Sequence, residues 1–261
     1  MSITNAPRAW DLVWPDGEPY EDLPRGTLKS GKEAEIFLVE RRYASSGPRL
    51  LAHKRYRIRY PGKDELRAEG FSNSASFRRH ALYRGGWHVR SRDRRALASG
   101  NKSRYGQQLA AQMWPFQEWT MLRRAWDAGV RVPCPLEQTH DGILMEFIGD
   151  SGALASAPRL SEARLAADAL ADAWRQLVEN LRALTRAGLV HADLSSYNLL
   201  WWEARLVVID LPQAVEFTTN PDAFELLRRD VENVADWFGR RGVQLDVEEV
   251  YAELVGLAWF G

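Results

Sequence analysis

The most informative segment of the sequence is Leu189-Val190-His191-Ala192-Asp193-Leu194-Ser195-Ser196-Tyr197-Asn198-Leu199-Leu200, which is followed by Leu206-Val207-Val208-Ile209-Asp210. Apolar residues at 198–201 and 206–209 predict two short strands, with a turn near residues 203–205. Such a hairpin brings Asn198 and Asp210 side by side at its open end. Because a carboxylate that follows a buried strand is costly to desolvate alone, Asp210 is predicted to contact a partner or an ion.

Three polar residues in this stretch have the spacing of a phosphoryl-transfer site. Four residues separate Asp193 from Asn198, and Asp210 follows the second strand, which gives the pattern H-x-D-x-x-x-x-N…D of kinase catalytic and metal-binding loops. Asp193 would accept or orient the proton of an attacking hydroxyl, while Asn198 and Asp210 would hold a metal against the nucleotide phosphates. The spacing therefore predicts ATP as substrate and Mg²⁺, or Mn²⁺, as cofactor. The alternative is an ordinary loop with a capping Asp.

The composition bounds the size and the compartment of the protein. With 261 residues, the chain is long enough for one large domain or two small lobes. Its one cysteine, Cys134, allows no intramolecular disulfide, and the flanking Pro133 and Pro135 predict a packed connector. No window is apolar enough to cross a membrane, and no basic region precedes an apolar stretch at the N-terminus. We therefore expect a cytoplasmic protein without membrane contact.

The formal net charge of zero hides an asymmetric charge distribution. Residues 41–104 contain 18 Lys or Arg and 4 Asp or Glu, an excess of 14. One interpretation is a solvated basic insertion that folds against the acidic remainder of the chain. The other is a surface for RNA, a ribonucleoprotein or another polyanion, since clustered Lys and Arg release counterions from a phosphate backbone.

The first part of the chain predicts an arm and a hairpin. Residues 1–25 are rich in Pro, Trp and acidic groups and are expected to form an extended arm. Residues 26–39 predict a strand, a tight turn and a strand, in which Ser30, Gly31 and Lys32 could lie over phosphates. A plain hairpin is the alternative, because the turn has neither the glycine pattern of common kinases nor that of P-loop enzymes.

A lysine on the next strand and a glutamate on the next helix could meet. Lys54 follows an apolar run, and it can reach nucleotide phosphates from the sheet if a helix carboxylate holds it. Residues 107–128 predict a helical segment in which Pro115 should begin a new helix or kink the old one. Glu118 could then point towards Lys54, and a surface glutamate is the alternative. Residues 143–149 predict an apolar strand that runs into a hinge between lobes.

The second half of the chain is predicted to be mainly helical. Apolar residues recur at helical spacing within residues 161–187. Asn220 is expected to cap a helix that has Pro221 at its first position. A final helix should start at Asp246, with Glu249 completing a capping box.

With these residues in place, the chain resembles the RIO family of atypical serine/threonine protein kinases over about residues 26–239. The segments that carry the resemblance are Ser30-Gly31-Lys32-Glu33-Ala34, Lys54, Ala128-Gly129-Val130, Pro133-Cys134-Pro135, Met145-Glu146-Phe147-Ile148-Gly149, His191-Ala192-Asp193-Leu194-Ser195 and Ile209-Asp210-Leu211-Pro212-Gln213-Ala214-Val215. The resemblance implies an α+β, bilobal protein-kinase-like fold with a β-rich N-lobe and a reduced, mainly helical C-lobe. The N-lobe would cover residues 26–145, with a basic insertion at about 60–104, and the hinge and C-lobe would cover 146–261.

The resemblance also implies a role for each matching residue. The implied binding sites are a phosphate loop of Ser30, Gly31 and Lys32, an adenine pocket of Met145, Glu146, Phe147 and Ile148, and an ion pair of Lys54 with Glu118. Asp193 would be the catalytic aspartate, and Asn198 and Asp210 would bind the metal. Because members of the family can form an acyl-phosphate on the metal-binding aspartate, ATP hydrolysis is an expected activity alongside Ser/Thr phosphorylation of a protein acceptor that the sequence does not identify.

Two departures from the family pattern concern substrate handling near Asp193. Ser196 stands where the family commonly has Glu, and Pro212 stands where it commonly has Ser. Two other functions are compatible with parts of the sequence. One is a small-molecule kinase of aminoglycoside-phosphotransferase type, although residues 213–215 favour the RIO family. The other is a nucleotide-gated scaffold that binds RNA or a ribonucleoprotein through residues 41–104.

Overall fold

The structure is a computed structural model that describes residues 14–15, 17–31, 34–56 and 104–260, without the side chains of residues 104–114. Lys32 and the segment 57–103 lie outside the described residues. The predictions for the phosphate-loop lysine and for most of the basic insertion therefore concern residues that the structure does not describe.

The N-terminal half forms a five-stranded antiparallel sheet. Its strands are β1 (Tyr20–Ser30), β2 (Ala34–Tyr43), β3 (Gly47–Tyr56), β4 (Pro135–Gln138) and β5 (Gly142–Glu146). They are arranged in the order β1-β2-β3-β5-β4, so that β3 lies at the centre of the sheet. Val39 of β2, Leu51 of β3 and Leu144 of β5 form a small buried apolar cluster. Successive side chains of a strand point to opposite faces of the sheet, so only some residues of each strand can join such a cluster.

Strand β1 includes residues 20–25, which were predicted to belong to an extended N-terminal arm. Residues 20–25 pair with β2, where Tyr20 lies opposite Tyr43. Asp22 accepts two hydrogen bonds of 2.7 Å from the guanidinium of Arg41, which also lies 3.7 Å from the centre of the Tyr20 ring. These contacts are made between strands, so the acidic composition of the segment could not reveal them.

Helix α1 (Arg104–Asp127) crosses the sheet as one element and contains Pro115. Of the two predicted alternatives, a new helix that begins at Pro115 is therefore wrong, and a single helix that contains Pro115 forms. A proline inside a helix removes one hydrogen bond and costs about 3 kcal/mol. Packing offsets this cost, because Met121, Leu122 and Ala125 of the same helix are buried in the main core.

The C-terminal half contains three helices and three small two-stranded sheets. The helices are α2 (Ala167–Arg186), α3 (Ala223–Gly239) and α4 (Val247–Phe260). The strand pairs are β6 (Gly149–Asp150) with β7 (Ala155–Ser156), β8 (Leu189–Val190) with β11 (Val215–Glu216), and β9 (Leu199–Trp202) with β10 (Arg205–Val208). One apolar core joins these helices, strands β8 to β10 and the second half of α1.

Two helix starts differ from the sequence-based expectations, and one agrees with them. Helix α2 begins at Ala167, because residues 159–161 instead bond to the segment 196–200. Asn220 does not cap α3, since its side-chain oxygen accepts a hydrogen bond of 2.9 Å from the backbone N–H of Asp222 in a turn before the helix. Asp246 caps α4 as predicted, by accepting a hydrogen bond of 2.9 Å from Glu249 N–H. None of the helices in the described ranges has the length and apolar composition needed to cross a membrane.

Candidate active site

A cleft of about 610 Å³ lies between the sheet and the C-terminal half. The lining residues that come from the sheet, from α1 and from the link between them are Leu28, Lys29, Gly31, Ala34, Ile36, Ala52, Lys54, Tyr56, Glu118, Leu122, Pro133, Met145 and Glu146. The other side is lined by Phe147, Ile148, Ser156, Ala157, Arg159, Glu162, Leu200, Ile209 and Asp210. The N-terminal and C-terminal halves of the chain therefore share one concave site, which both charged and apolar side chains line.

Lys54 joins the two sides of this cleft. Its Nζ lies 2.7 Å from Glu118 Oε1 on α1 and 2.7 Å from Asp210 Oδ1 after β10. The predicted ion pair between Lys54 and Glu118 is thus present. Glu118 is not a surface glutamate, because its side chain is only 4% exposed, whereas 42% of the Asp210 side chain remains exposed.

The charges of these three side chains depend on one another. Burial disfavours the charged form of Lys54, yet Asp210 and Glu118 together raise its pKa above the ordinary value. Burial also opposes ionisation of Asp210, but the adjacent Lys54 cation lowers its pKa overall. For Glu118, burial outweighs the attraction of Lys54 and raises the pKa to about 7. Lys54 and Asp210 are therefore a stable ion pair, and Glu118 is the group closest to taking up a proton.

The backbone of Lys54 is held by a close approach between β3 and β5. A Cβ atom on Gly142 would lie 2.0 Å from the carbonyl oxygen of Lys54, a separation that real Cβ atoms do not show. Only glycine lets the strands pair at this position, where Gly142 lies opposite Arg55. The absence of a side chain at Gly142 on β5 thus lets the backbone of Lys54 on β3 take its place in the sheet.

The predicted hairpin forms and brings Asn198 next to Asp210. Its two-residue turn consists of Glu203 and Ala204, both with positive φ (48° and 57°), as the turn with the correct twist requires. Ile209 N–H donates a hydrogen bond of 3.0 Å to the carbonyl of Asn198 at the open end. Asp210 has a φ of 70°, an uncommon conformation for a residue other than glycine, and its side chain lines the cleft.

Asp193 lies beside Asn198 in the loop before this hairpin. The side-chain nitrogen of Asn198 lies 2.8 Å from the Asp193 carbonyl and 3.4 Å from Asp193 Oδ2. Gln213 Nε2 lies 3.4 Å from the same carboxylate oxygen. Asn198 therefore binds the loop through its amide nitrogen, and its amide oxygen takes no part in these contacts.

Asp230 on α3, which was not among the predicted site residues, holds the backbone of this loop. Its carboxylate accepts hydrogen bonds from the backbone N–H groups of Ala192 (2.7 Å) and Leu194 (2.9 Å). Ala192 has a φ of 65°, which strains a residue with a side chain, and the two bonds hold it there. Burial raises the pKa of Asp230 to about 6. The signal in the sequence was an Asp on a helix face that is otherwise apolar.

The four residues predicted to form an adenine pocket, Met145, Glu146, Phe147 and Ile148, all line the cleft. Glu146 Oε2 accepts a hydrogen bond of 3.1 Å from Cys134 N–H, which makes the buried Cys134 a packed connector as predicted. Ala157 N–H donates a hydrogen bond of 2.9 Å to the Ile148 carbonyl, which joins the hinge backbone to the residue after β7.

The predicted phosphate loop is only partly represented at the cleft. Gly31 lines it, and its N–H closes the β1–β2 turn by donating a hydrogen bond of 2.9 Å to the Ala34 carbonyl. Ser30 does not line the cleft, and its hydroxyl donates a hydrogen bond of 3.1 Å to Glu35 Oε1. Lys32 lies outside the described residues.

The donor set at the hairpin fits a magnesium ion. Among the described residues, no group of three or more His, Cys, Asp or Glu side chains is placed to hold a metal. Asp210 offers a carboxylate with 42% of its side chain exposed, and Asn198 offers the amide oxygen left over from its bond to the loop. Magnesium needs only one or two such oxygens when water and substrate phosphates complete its shell.

A central lysine held by a helix carboxylate, together with a hairpin that carries Asn198 and Asp210, is typical of the protein-kinase-like architecture. A family model described as the RIO domain matches residues 78–250. This match covers more than half of the chain, which therefore belongs to the RIO-domain family.

Curated relatives and a solved structure agree with this family. The chain is 43% identical over 143 residues to the RIO-type serine/threonine-protein kinase Rio1 of Haloferax volcanii, covering 55% of this chain and 48% of that protein. It is 30% identical over 227 residues to the serine/threonine-protein kinase RIO1 of Chaetomium thermophilum, covering 84% of this chain and 40% of that protein. The chain thus spans less than half the length of these two relatives.

The fold is also that of a solved RIO structure. The crystal structure of the Rio2 kinase–ADP/Mg²⁺–phosphoaspartate complex from Chaetomium thermophilum matches with a TM-score of 0.55 at 18% identity. The match covers 88% of this chain and 61% of that chain. The predicted α+β, two-lobed kinase-like fold is confirmed.

Proposed function

We propose that this protein is an ATP- and Mg²⁺-dependent phosphotransferase of the RIO type, acting as a Ser/Thr protein kinase, as an ATPase, or as both. The observation that carries the proposal is the position of Lys54, 2.7 Å from Glu118 and 2.7 Å from Asp210 at the wall of the cleft. A lysine held between a helix carboxylate and a metal-binding aspartate is the arrangement that cradles nucleotide phosphates in kinases.

In this proposal, the cleft binds ATP along its length. The apolar hinge end, formed by residues 145–148, receives the adenine ring. Lys54 contacts the phosphates, and Glu118 keeps the lysine side chain extended towards them. Asn198 and Asp210 would hold Mg²⁺, which neutralises phosphate charge when it is bound.

Asp193 is proposed to accept or orient the proton of the acceptor hydroxyl. It is held near Asn198 and Gln213 by contacts of 3.4 Å, while two backbone bonds to Asp230 fix the loop on which it stands. Positioning of a general base in this way contributes roughly 10²- to 10⁴-fold to the rate.

Asp210 is proposed to form an acyl-phosphate as well. The relative from Chaetomium thermophilum was crystallised with phosphoaspartate, and here one oxygen of Asp210 contacts Lys54 while the side chain stays 42% exposed in the cleft. A carboxylate oxygen would form a bond to the γ-phosphorus as the bond to the β–γ bridging oxygen breaks, and ADP would leave with that electron pair. Water would then hydrolyse the acyl-phosphate to the carboxylate and inorganic phosphate.

The proposed activity is tested by ATP turnover with Mg²⁺ or Mn²⁺, in the absence and presence of candidate acceptors. We expect slow release of inorganic phosphate without an acceptor, and its loss in Lys54→Met. Glu137→Gln is the matched control, because Glu137 contacts Arg41 and does not line the cleft. Rapid phosphorylation of an aminocyclitol or a sugar, without phosphate release in its absence, would replace the proposal with a small-molecule kinase.

Three further features of the protein are proposed from its composition and family. The acceptor is a protein. If one copy of this chain phosphorylates another, the chain is itself a phosphoprotein. Residues 41–104, with their excess of 14 positive charges, bind RNA or a ribonucleoprotein. The single cysteine favours a cytoplasmic location. The affinity of the protein for single-stranded RNA should fall steeply as the salt concentration rises. An RNA affinity that does not change with salt would contradict RNA binding by residues 41–104.

A further inference from the structure

Two cations in the cleft have no role in the proposed chemistry, Lys29 on β1 and Arg159 before α2. Both line the cleft, from opposite sides. Among the described residues, neither side chain forms an ion pair or a hydrogen bond, whereas Lys54 forms two. Positive charges that face a cleft without a partner are available to an anionic ligand.

The strand is built so that Lys29 faces the cleft. In a regular strand, neighbouring side chains point to opposite faces. Leu28 and Lys29 are neighbours, yet both line the cleft. The β1–β2 register shifts between Thr27 and Lys29, and an irregularity of this kind re-aims a side chain.

Arg159 is fixed beside the hairpin that carries Asn198 and Asp210. Its backbone forms a bridge with Leu200, and the neighbouring Leu160 N–H donates a hydrogen bond of 2.8 Å to the Leu199 carbonyl. The guanidinium is close enough to contribute to the lowered pKa of Asp210, although burial opposes that change and Lys54 contributes most to it. Arg159 therefore lies near the end of the cleft where the outer phosphates would be transferred.

The two cations are also close enough to affect each other. Partial burial and the Arg159 charge lower the pKa of Lys29, while Glu162 and Asp210 act in the opposite direction. Glu162 also lines the cleft but forms no ion pair with either cation within the described residues. A ligand that carries several negative charges would relieve the repulsion between Lys29 and Arg159.

We propose that Lys29 and Arg159 form a second cationic subsite, which binds the outer phosphates of a nucleoside triphosphate from opposite sides of the cleft. This inference rests on the proposed function. In this arrangement, Lys54 and the β9–β10 hairpin contact the phosphates inside the cleft, and the Lys29–Arg159 subsite contacts them at the opening of the cleft. The subsite makes affinity depend on the number of phosphate groups, and it leaves the affinity for the nucleoside unchanged.

Calorimetry with MgATP, MgADP and adenosine tests the subsite in Lys29→Met and Arg159→Met. We expect each variant to bind MgATP roughly tenfold more weakly, as removal of one charge-assisted contact predicts, with a smaller change for MgADP and none for adenosine. Lys29→Arg, which keeps the charge, should bind MgATP as the parent does. Arg164→Met is the matched control, because Arg164 is an exposed arginine of the same segment that does not line the cleft.

Two results separate this subsite from the proposed function. If the parent protein binds MgATP and both Met variants bind it equally well, or lose MgATP and adenosine affinity to the same extent, the subsite is wrong and the proposed function stands. If the parent protein binds neither MgATP nor MgADP, the proposed function fails, and the subsite fails with it. Thermal melting curves that match the parent show that the variants are folded.

Discussion

The carboxylate of Asp230 on α3 accepts a hydrogen bond of 2.7 Å from the backbone N–H of Ala192, directly before the candidate catalytic Asp193. Together with the second bond to Leu194, it fixes the loop in a conformation that Ala192 would not adopt by itself. The position of Asp193 therefore depends on Asp230, a residue that does not itself line the cleft.

Asp230→Asn should reduce kcat much more than it weakens MgATP binding. The two backbone N–H groups bond to different carboxylate oxygens, and in Asn one of these oxygens is replaced by an NH₂ group that cannot accept, so the loop loses one hydrogen bond. Displacement of a catalytic group by about 1 Å can lower the rate roughly 10²-fold. Steady-state ATP turnover and calorimetry would measure the two effects, and an unchanged kcat would show that the loop does not depend on Asp230.

The same variant should change how stability depends on pH. Burial raises the pKa of Asp230 to about 6, so the folded protein binds more protons than the unfolded chain between about pH 4 and 6. Stability is therefore lost as pH rises through this range, by up to roughly 3 kcal/mol for this group. Asn has no such loss, and the destabilisation by Asp230→Asn should be larger at pH 5 than at pH 8 in urea titrations. If the difference in the free energy of unfolding between the parent and Asp230→Asn does not change with pH, the pKa of Asp230 is not raised in the folded protein.

Gly142→Ala should disturb Lys54 through the backbone. The added Cβ would lie 2.0 Å from the Lys54 carbonyl oxygen, so strands β3 and β5 must separate. Overpacking of this kind costs about 1–3 kcal/mol, and it should also weaken MgATP binding. Gly256→Ala is the control, because nothing lies within 4 Å of its Cβ position in α4, and it should stabilise the protein by roughly 0.5–1 kcal/mol. Equal stability of the two variants in denaturant titrations would show that β3 and β5 adapt to the methyl group.

Glu118→Gln should weaken the hold on Lys54 without unfolding the protein. The amide keeps a hydrogen-bond acceptor for Nζ but removes the charge, so the lysine is attracted to Asp210 alone. We expect MgATP affinity to fall roughly tenfold. Because burial raises the pKa of Glu118 to about 7, the parent protein should approach the behaviour of the variant as pH falls below 7. A ratio of parent to variant MgATP affinity that is the same at pH 8 and at pH 6 would contradict protonation of Glu118 in this range.

Asp193→Asn should abolish transfer to a hydroxyl acceptor while nucleotide binding stays within a few-fold of the parent. The substituted amide cannot accept the proton, and the expected loss is on the order of 10²- to 10⁴-fold. Turnover comparable with that of the parent, measured on the same acceptor, would remove Asp193 from the mechanism.

Local sequence signals predicted some parts of the site and could not predict others. The β9–β10 hairpin was predictable because its turn and its apolar runs lie within a few residues of one another. The choice between one helix through Pro115 and a new helix at Pro115 could not be made, because the stabilising contacts of Met121 and Leu122 come largely from the C-terminal half of the chain. Asp230 was missed for the same reason, since its partners lie 38 and 36 residues away in sequence. Long-range contacts override local propensity at these positions.

The central claim is that Asp210 can accept the γ-phosphoryl group. The parent protein should be incubated with γ-labelled ATP and Mg²⁺, quenched in acid, and treated with hydroxylamine, which cleaves acyl-phosphates and leaves phosphoserine intact. We expect a labelled protein that loses its label to hydroxylamine, and no such adduct in Asp210→Ala. A parent protein that turns over ATP and carries only hydroxylamine-stable label would contradict the aspartyl-phosphate, as would a labile adduct that persists in Asp210→Ala.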